Sequence, residues 1–176
     1  ESIHGWYCAT MAIFADDRGD EEVARERWLD CNDRFPAHPN VVSVSIEFHE
    51  KRGEFARSLE IAEAAFEAES DSREDYRQLL AERLLKVGRI DDAEALLREA
   101  TGEGDVVTSS RAWLALSSLF EAKGDLPEAI DALGKGLEIL TASHGPQPEL
   151  LFKLADLLGL ADHDDRALAL TDWMAW

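Results

Sequence analysis

One phrase returns along this chain at a near-fixed interval, and it constrains the fold more than any other feature. A glycine is followed five residues later by a small side chain: Gly19 and Ala24, Gly53 and Ser58, Gly88 and Ala93, Gly124 and Ala129. A fifth copy, Asp162 and Ala167, keeps the small residue without the glycine. The leading residues stand 34, 35, 36 and 38 positions apart. A unit of that length is too small to bury its own apolar face. It becomes stable only by stacking on copies of itself.

The fourth copy is the clearest. Trp113, Leu116, Ser117 and Phe120 recur at helical spacing. Gly124 supplies the left-handed residue that ends a helix. Asp125 is expected to cap the next helix, with Pro127 in its first turn. Ala129, Ile130, Leu133 and Leu137 then share one face. Each unit therefore reads as a helix, a tight turn and an antiparallel helix. Two helices joined so tightly cross closely only where a side chain is small, which accounts for Ala24, Ser58, Ala93, Ala129 and Ala167. Large residues such as Trp28, Leu97 and Leu133 are expected to fill the groove against the next unit.

These units resemble the tetratricopeptide repeat. Its first-helix positions match Trp113, Leu116, Ser117 and Phe120, and its second-helix positions match Ala129, Leu133 and Gly136. The first unit follows with Ala24, Trp28, Cys31 and Pro36. The third follows with Leu80, Ala81, Leu84, Gly88, Ala93, Leu97 and Ala100. The second departs more, with Ser45, Ile46, Ser58, Ala62 and Ala65. The fifth keeps Leu151, Leu154, Ala155 and Leu158. The resemblance implies an all-α, right-handed solenoid of five repeats, over about 5–38, 39–72, 74–107, 109–146 and 147–176. First helices are predicted near 5–17, 40–52, 74–87, 109–122 and 147–160. Second helices are predicted near 20–34, 55–69, 90–101, 126–142 and 164–176. Longer linkers fall around Gly102–Asp105 and His144–Pro148.

Charge narrows the partners. With 37 acidic against 18 basic residues the net charge is −19, which argues against nucleic acid and anionic membranes and favours a basic protein partner. Arg outnumbers Lys 13 to 5, a compositional hint of a bacterial source. The compartment is left open between cytoplasm and periplasm. Cys8 and Cys31 lie on the antiparallel helices of the first unit and read as two small buried side chains, with a disulfide as the alternative. Asp16–Asp20 lacks the glycine position of a calcium loop. Asp162–Asp165 reads as a turn, and Gly102–Gly104 lacks the third glycine and preceding strand of a dinucleotide loop. With no catalytic motif, the chain is expected to be a cofactor-free, metal-free, non-enzymatic protein.

In the family that the sequence resembles, first helices line a concave face that holds peptides. The matching residues here are Asp16 and Asp17; Glu47, Glu50 and Lys51; Gln78, Glu82 and Lys86; Arg111, Leu114, Ser118 and Glu121; and Glu149, Phe152 and Asp156. Carboxylates dominate, so the expected function is a scaffold with an acidic groove. They do not match the Lys, Asn and Arg clamp with which some members hold a C-terminal carboxylate. Two other readings stand beside it: a regulatory or targeting region fused to an enzyme or envelope-assembly protein, and a self-associating module. The last would use Trp173, Met174 and Trp176, an apolar end with no polar cap, expected to meet a further repeat or a second copy. Trp6 and Tyr7 raise the same question at the other end. The chain is accordingly expected to be part of a longer protein.

Overall fold

The computed structural model describes residues 2–68, 73–102, 106–161, 163, 166 and 167, with the side chains of Ser2, Arg73 and Glu74 outside that description. The described residues form helices and turns. They divide into two compact units, Glu1–Arg89 and Ile90–Trp176. The first unit holds α1 (Ser2–Asp17), α2 (Glu21–Arg34), α3 (Pro39–Glu50), α4 (Phe55–Ala68) and α5 (Arg73–Lys86). The second holds α6 (Ile90–Thr101), α7 (Val106–Lys123), α8 (Leu126–His144) and α9 (Pro148–Leu160). Each agrees with its predicted range to within about three residues. The helix predicted over 164–176 lies almost wholly outside the described residues, as do Trp173, Met174 and Trp176.

The recurring glycine does what its spacing implies. Gly19, Gly53, Gly88 and Gly124 have φ of 78°, 75°, 79° and 77°, a region that side chains with a Cβ avoid. Around each of them the same pair of hydrogen bonds forms. In the first turn Gly19 N donates to Asp16 O at 2.8 Å and Asp20 N to Ala15 O at 3.0 Å. In the fourth, Gly124 N donates to Glu121 O at 3.0 Å and Asp125 N to Phe120 O at 2.9 Å. The longer bond satisfies a carbonyl orphaned at the helix end. His163 N reaches Leu158 O at 2.9 Å with the same five-residue step beyond α9.

Capping differs from expectation. Asp125 precedes α8, yet its side chain makes no capping hydrogen bond. Its backbone carbonyl instead accepts from Ala129 N at 3.0 Å. Because the chain reverses through the glycine, the backbone already closes the start of the helix. Prolines stand in the first turns of α3, α8 and α9, where the missing N–H costs nothing.

Packing follows the small residues. Ala24, Ser58, Ala93 and Ala129 are fully buried. At the fourth crossing Ser117 Oγ donates to Ala129 O at 2.9 Å. A Cβ on Gly136 would stand 3.1 Å from Leu114 Cδ2 and 3.3 Å from Trp113 Cβ, so α7 and α8 approach closely there. Trp28, Leu97 and Leu133 are buried, and Trp28 reaches α3, its ring 6.3 Å from Phe48 between centroids. Asn32 of α2 accepts a hydrogen bond from the buried Ser45 of α3 at 3.0 Å.

The first unit carries a cross-link. Cys8 of α1 and Cys31 of α2 form a disulfide, with Cα atoms 5.7 Å apart. The expectation of two buried free thiols is corrected. Sequence spacing places both residues on facing helices, but whether the two thiols meet depends on helix rotation, which a repeat pattern specifies only to within a residue or two.

Candidate functional site

The first-helix face of the first unit holds a groove of about 440 Å³, lined by Ser43, Ile46, Glu47, Glu50, Lys51, Phe55 and Arg83. Proline at the start of α3 sets its direction, and Val41, Val42, Ser45, Ile46, Phe48 and His49 face inward. That rotation leaves Ser43 and Glu47 outside, one helical turn apart. Phe55, at the start of α4, is about two-fifths exposed and gives the groove an apolar wall.

Its charges are largely paired. Glu50 is mostly buried and is held by Arg83 Nε at 3.0 Å and Lys86 Nζ at 2.6 Å. Glu47 pairs with Lys51 at 2.7 Å, and hydrogen bonding to this carboxylate holds the Lys51 ammonium above its ordinary pKa. Asp16 meets Arg52, whose guanidinium also lies 3.7 Å from the centroid of the Phe48 ring. Asp17 is exposed at the end of α1. Gln78 is exposed on α5 and donates to Glu82 at 3.4 Å, and Glu82 accepts from Arg83 at 2.9 Å.

In the second unit, Arg111 and Asp156 are exposed. Glu121 pairs with Lys153 at 3.1 Å, and Lys153 also reaches Ser118 Oγ at 3.4 Å. Phe152 is more than half exposed. Leu114, expected to line a groove, is half-buried against Gly136.

A register rule emerges that the sequence reading missed. Asp16, Glu50 and Glu121 each stand three residues before a turn glycine, and each pairs with a cation on or just after the following first helix of the same unit. The third repeat has Leu85 in that register. The signal was visible in the fixed distance from the glycine. Its cationic partners were not, because Arg52, Lys86 and Lys153 hold no common register. In the third repeat the acidic excess sits instead on the second helix. On α6, Asp91, Asp92, Glu94 and Glu99 stand against Arg98 alone, whereas α5 carries four cations against three carboxylates.

A second polar cluster ties α2 to the α3–α4 turn. Glu54 accepts from Arg25 and lies 2.6 Å from His49 Nδ1. The Arg25 hydrogen bond, aided by His49, lowers the Glu54 carboxyl to about 2. Burial pushes His49 below its ordinary value despite that carboxylate. A wider groove of about 670 Å³ runs between α1 and α2, lined by His4, Tyr7, Cys8, Met11, Glu26, Arg27, Asp30 and Arg34. Among the described residues no group of three His, Cys, Asp or Glu is placed to hold a metal ion. No described helix is long and apolar enough to cross a membrane.

Residues 79–144 match the tetratricopeptide repeat family model. No curated protein matches the sequence. Solved structures share the fold at low identity. The chain is similar to Pseudomonas aeruginosa PilF at 19% identity and a TM-score of 0.62, over 97% of this chain and 75% of that one. It is similar to a Podospora anserina putative kinesin light chain with nearly identical TPR-like repeats, at 16% identity and a TM-score of 0.61, over 98% and 93%. MamA from Desulfovibrio magneticus aligns at 13% identity and a TM-score of 0.61, over 96% and 91%. Repeats of this kind generally mediate protein–protein interaction. With its repeating glycine turns and small residues at each helix crossing, the chain has the fold of tetratricopeptide-repeat proteins, and its residues 79–144 match that family's model.

Proposed function

We propose that this protein is a non-catalytic scaffold that holds a partner segment along its first helices, seated in the groove of Ser43, Ile46, Glu47, Phe55 and Arg83. The observation that carries this reading is the groove's composition: an apolar wall at Phe55 beside ion pairs that are exposed at Glu47 and Lys51. Exposed pairs are worth less than about 1 kcal/mol, so a partner's charge displaces them at little cost. The segment that fits has an apolar side chain for Phe55 and a basic one for Glu47, with Asp17 and Glu82 exposed on first helices of the same unit.

Capture from the native source with Glu47→Lys and Glu82→Lys tests this. A second variant, Glu60→Lys with Glu99→Lys, changes net charge equally on second helices. The first variant is expected to lose its partner and the second to keep it. Partners unchanged by the first variant would remove the groove proposal.

A further inference from the structure

The outward face of α1 differs from every other first helix. Ile3, the pair Trp6 and Tyr7, Thr10, and the pair Ile13 and Phe14 are linked by spacings of three and four residues, so they form a single stripe. Ile3 is 80% exposed, Trp6 57%, Tyr7 62% and Phe14 54%. The opposite face, with Gly5, Ala9, Ala12 and Ala15, is the buried one. Aromatic side chains carry roughly 150–250 Å² each. The stripe thus offers on the order of 600 Å² of apolar surface, the upper end for a monomer's largest patch.

Counting back from each turn glycine shows what is unusual. Tyr7 and Phe14 share the register of Val41 and Phe48 on α3, and of Ala112 and Leu119 on α7. All four counterparts are buried, Phe48 against Trp28 of the preceding second helix. A helix seated on α1 as α2 sits on α3 would cover Tyr7 and Phe14. It would leave Trp6 and Ile13 open, because their counterparts are exposed polar residues: Asn40 and Glu47 on α3, Arg111 and Ser118 on α7. The stripe is wider than a neighbouring repeat would need.

We propose that this stripe is a two-fold contact with α1 of a second copy of the chain. Its pattern is self-complementary about Thr10. Two α1 helices crossing antiparallel at Thr10 set Trp6 on the mate's Phe14 and Tyr7 on the mate's Ile13, an isologous arrangement. Thr10 is small enough to lie on the axis, and its hydroxyl already donates to Trp6 O at 2.9 Å, so it enters the contact satisfied. Covering both stripes removes on the order of 1,200 Å², the lower edge for a specific interface. Each copy carries −19, and salt screens that repulsion. Association therefore strengthens as ionic strength rises, opposite to an acidic groove binding a basic segment.

Sedimentation of the chain over a concentration series, at low and high salt, tests the contact. The mass is expected to rise from 19.6 kDa toward twice that value, more readily in high salt. Thr10→Arg on the axis and Trp6→Ser beside it are each expected to weaken the dimer at least tenfold with an unchanged helical melt. Thr10→Cys is expected to cross-link two copies on oxidation, and Asn40→Cys, at an exposed first-helix position, is not. A monomer at every concentration overturns the proposal. So does a dimer untouched by both Thr10→Arg and Trp6→Ser, which would place the contact elsewhere.

Discussion

The first and fourth repeats close on the same glycine turn and the same pair of backbone hydrogen bonds, yet their first helices bury opposite kinds of side chain. In the fourth, α7 turns Leu116, Leu119 and Phe120 inward. In the first, α1 turns Ala9, Ala12 and Ala15 inward and carries its large side chains outside. Phe14 and Leu119 hold one register, and one is exposed where the other has no exposure at all. An alanine-lined helix gains little from burial, at about 0.8 kcal/mol per buried CH₂. The first repeat gains its hold from Trp28 and from the Cys8–Cys31 bond. The turn therefore sets the helix pair, while the source of cohesion is free to differ between repeats.

The sharpest way to break this comparison is to truncate both members of the shared register. Leu119→Ala is expected to cost about 2–5 kcal/mol by denaturant unfolding. Phe14→Ala, measured at high dilution, is expected to cost less than about 0.5 kcal/mol. Equal costs would show that the two helices are anchored alike. Next in size, Cys8→Ser with Cys31→Ser is expected to remove about 3 kcal/mol, as the disulfide closes a loop of 23 residues. Hydrogen exchange should quicken in α1 and α2 and stay unchanged in α7 and α8.

Gly5 sharpens the same contrast. A Cβ there would stand 2.4 Å from the His38 ring. Gly5→Ala is expected to cost about 1–3 kcal/mol through overpacking, readable as a lowered Tm. The smallest effect is on pH dependence. Glu54 is held down at about 2, so its contribution is complete above the ordinary glutamate value of about 4.3 and is lost as pH falls through about 2. His49 is also lowered, so folding weakens as pH drops below about 6.5 toward its folded value. Urea midpoints measured from pH 7.5 to 3 should fall in wild type. Glu54→Gln should flatten the lower part of that curve.

Much of the fold was legible because its signals are local. Gly19, Gly53, Gly88 and Gly124 mark turns that only a glycine adopts cheaply, and Pro127 marks a helix start. The candidate site was legible in part. Repeat register put Glu47, Gln78 and Glu82 on an exposed face. It did not reveal that Glu50 is mostly buried and bound by Arg83 and Lys86, because those cations come from another helix at no fixed spacing. The carboxylates read alone did not show that Glu47 and Glu50 carry cationic partners.

The sequence by itself determined the repeat, its helices and its turns, since each depends on residues within a few positions of one another. Tertiary structure alone decided whether Cys8 meets Cys31, which carboxylates keep their charge available, and which face of α1 looks outward. Those outcomes rest on helix rotation and on the contacts each helix finds across its unit. A one-residue change in register would exchange them without altering the pattern along the chain.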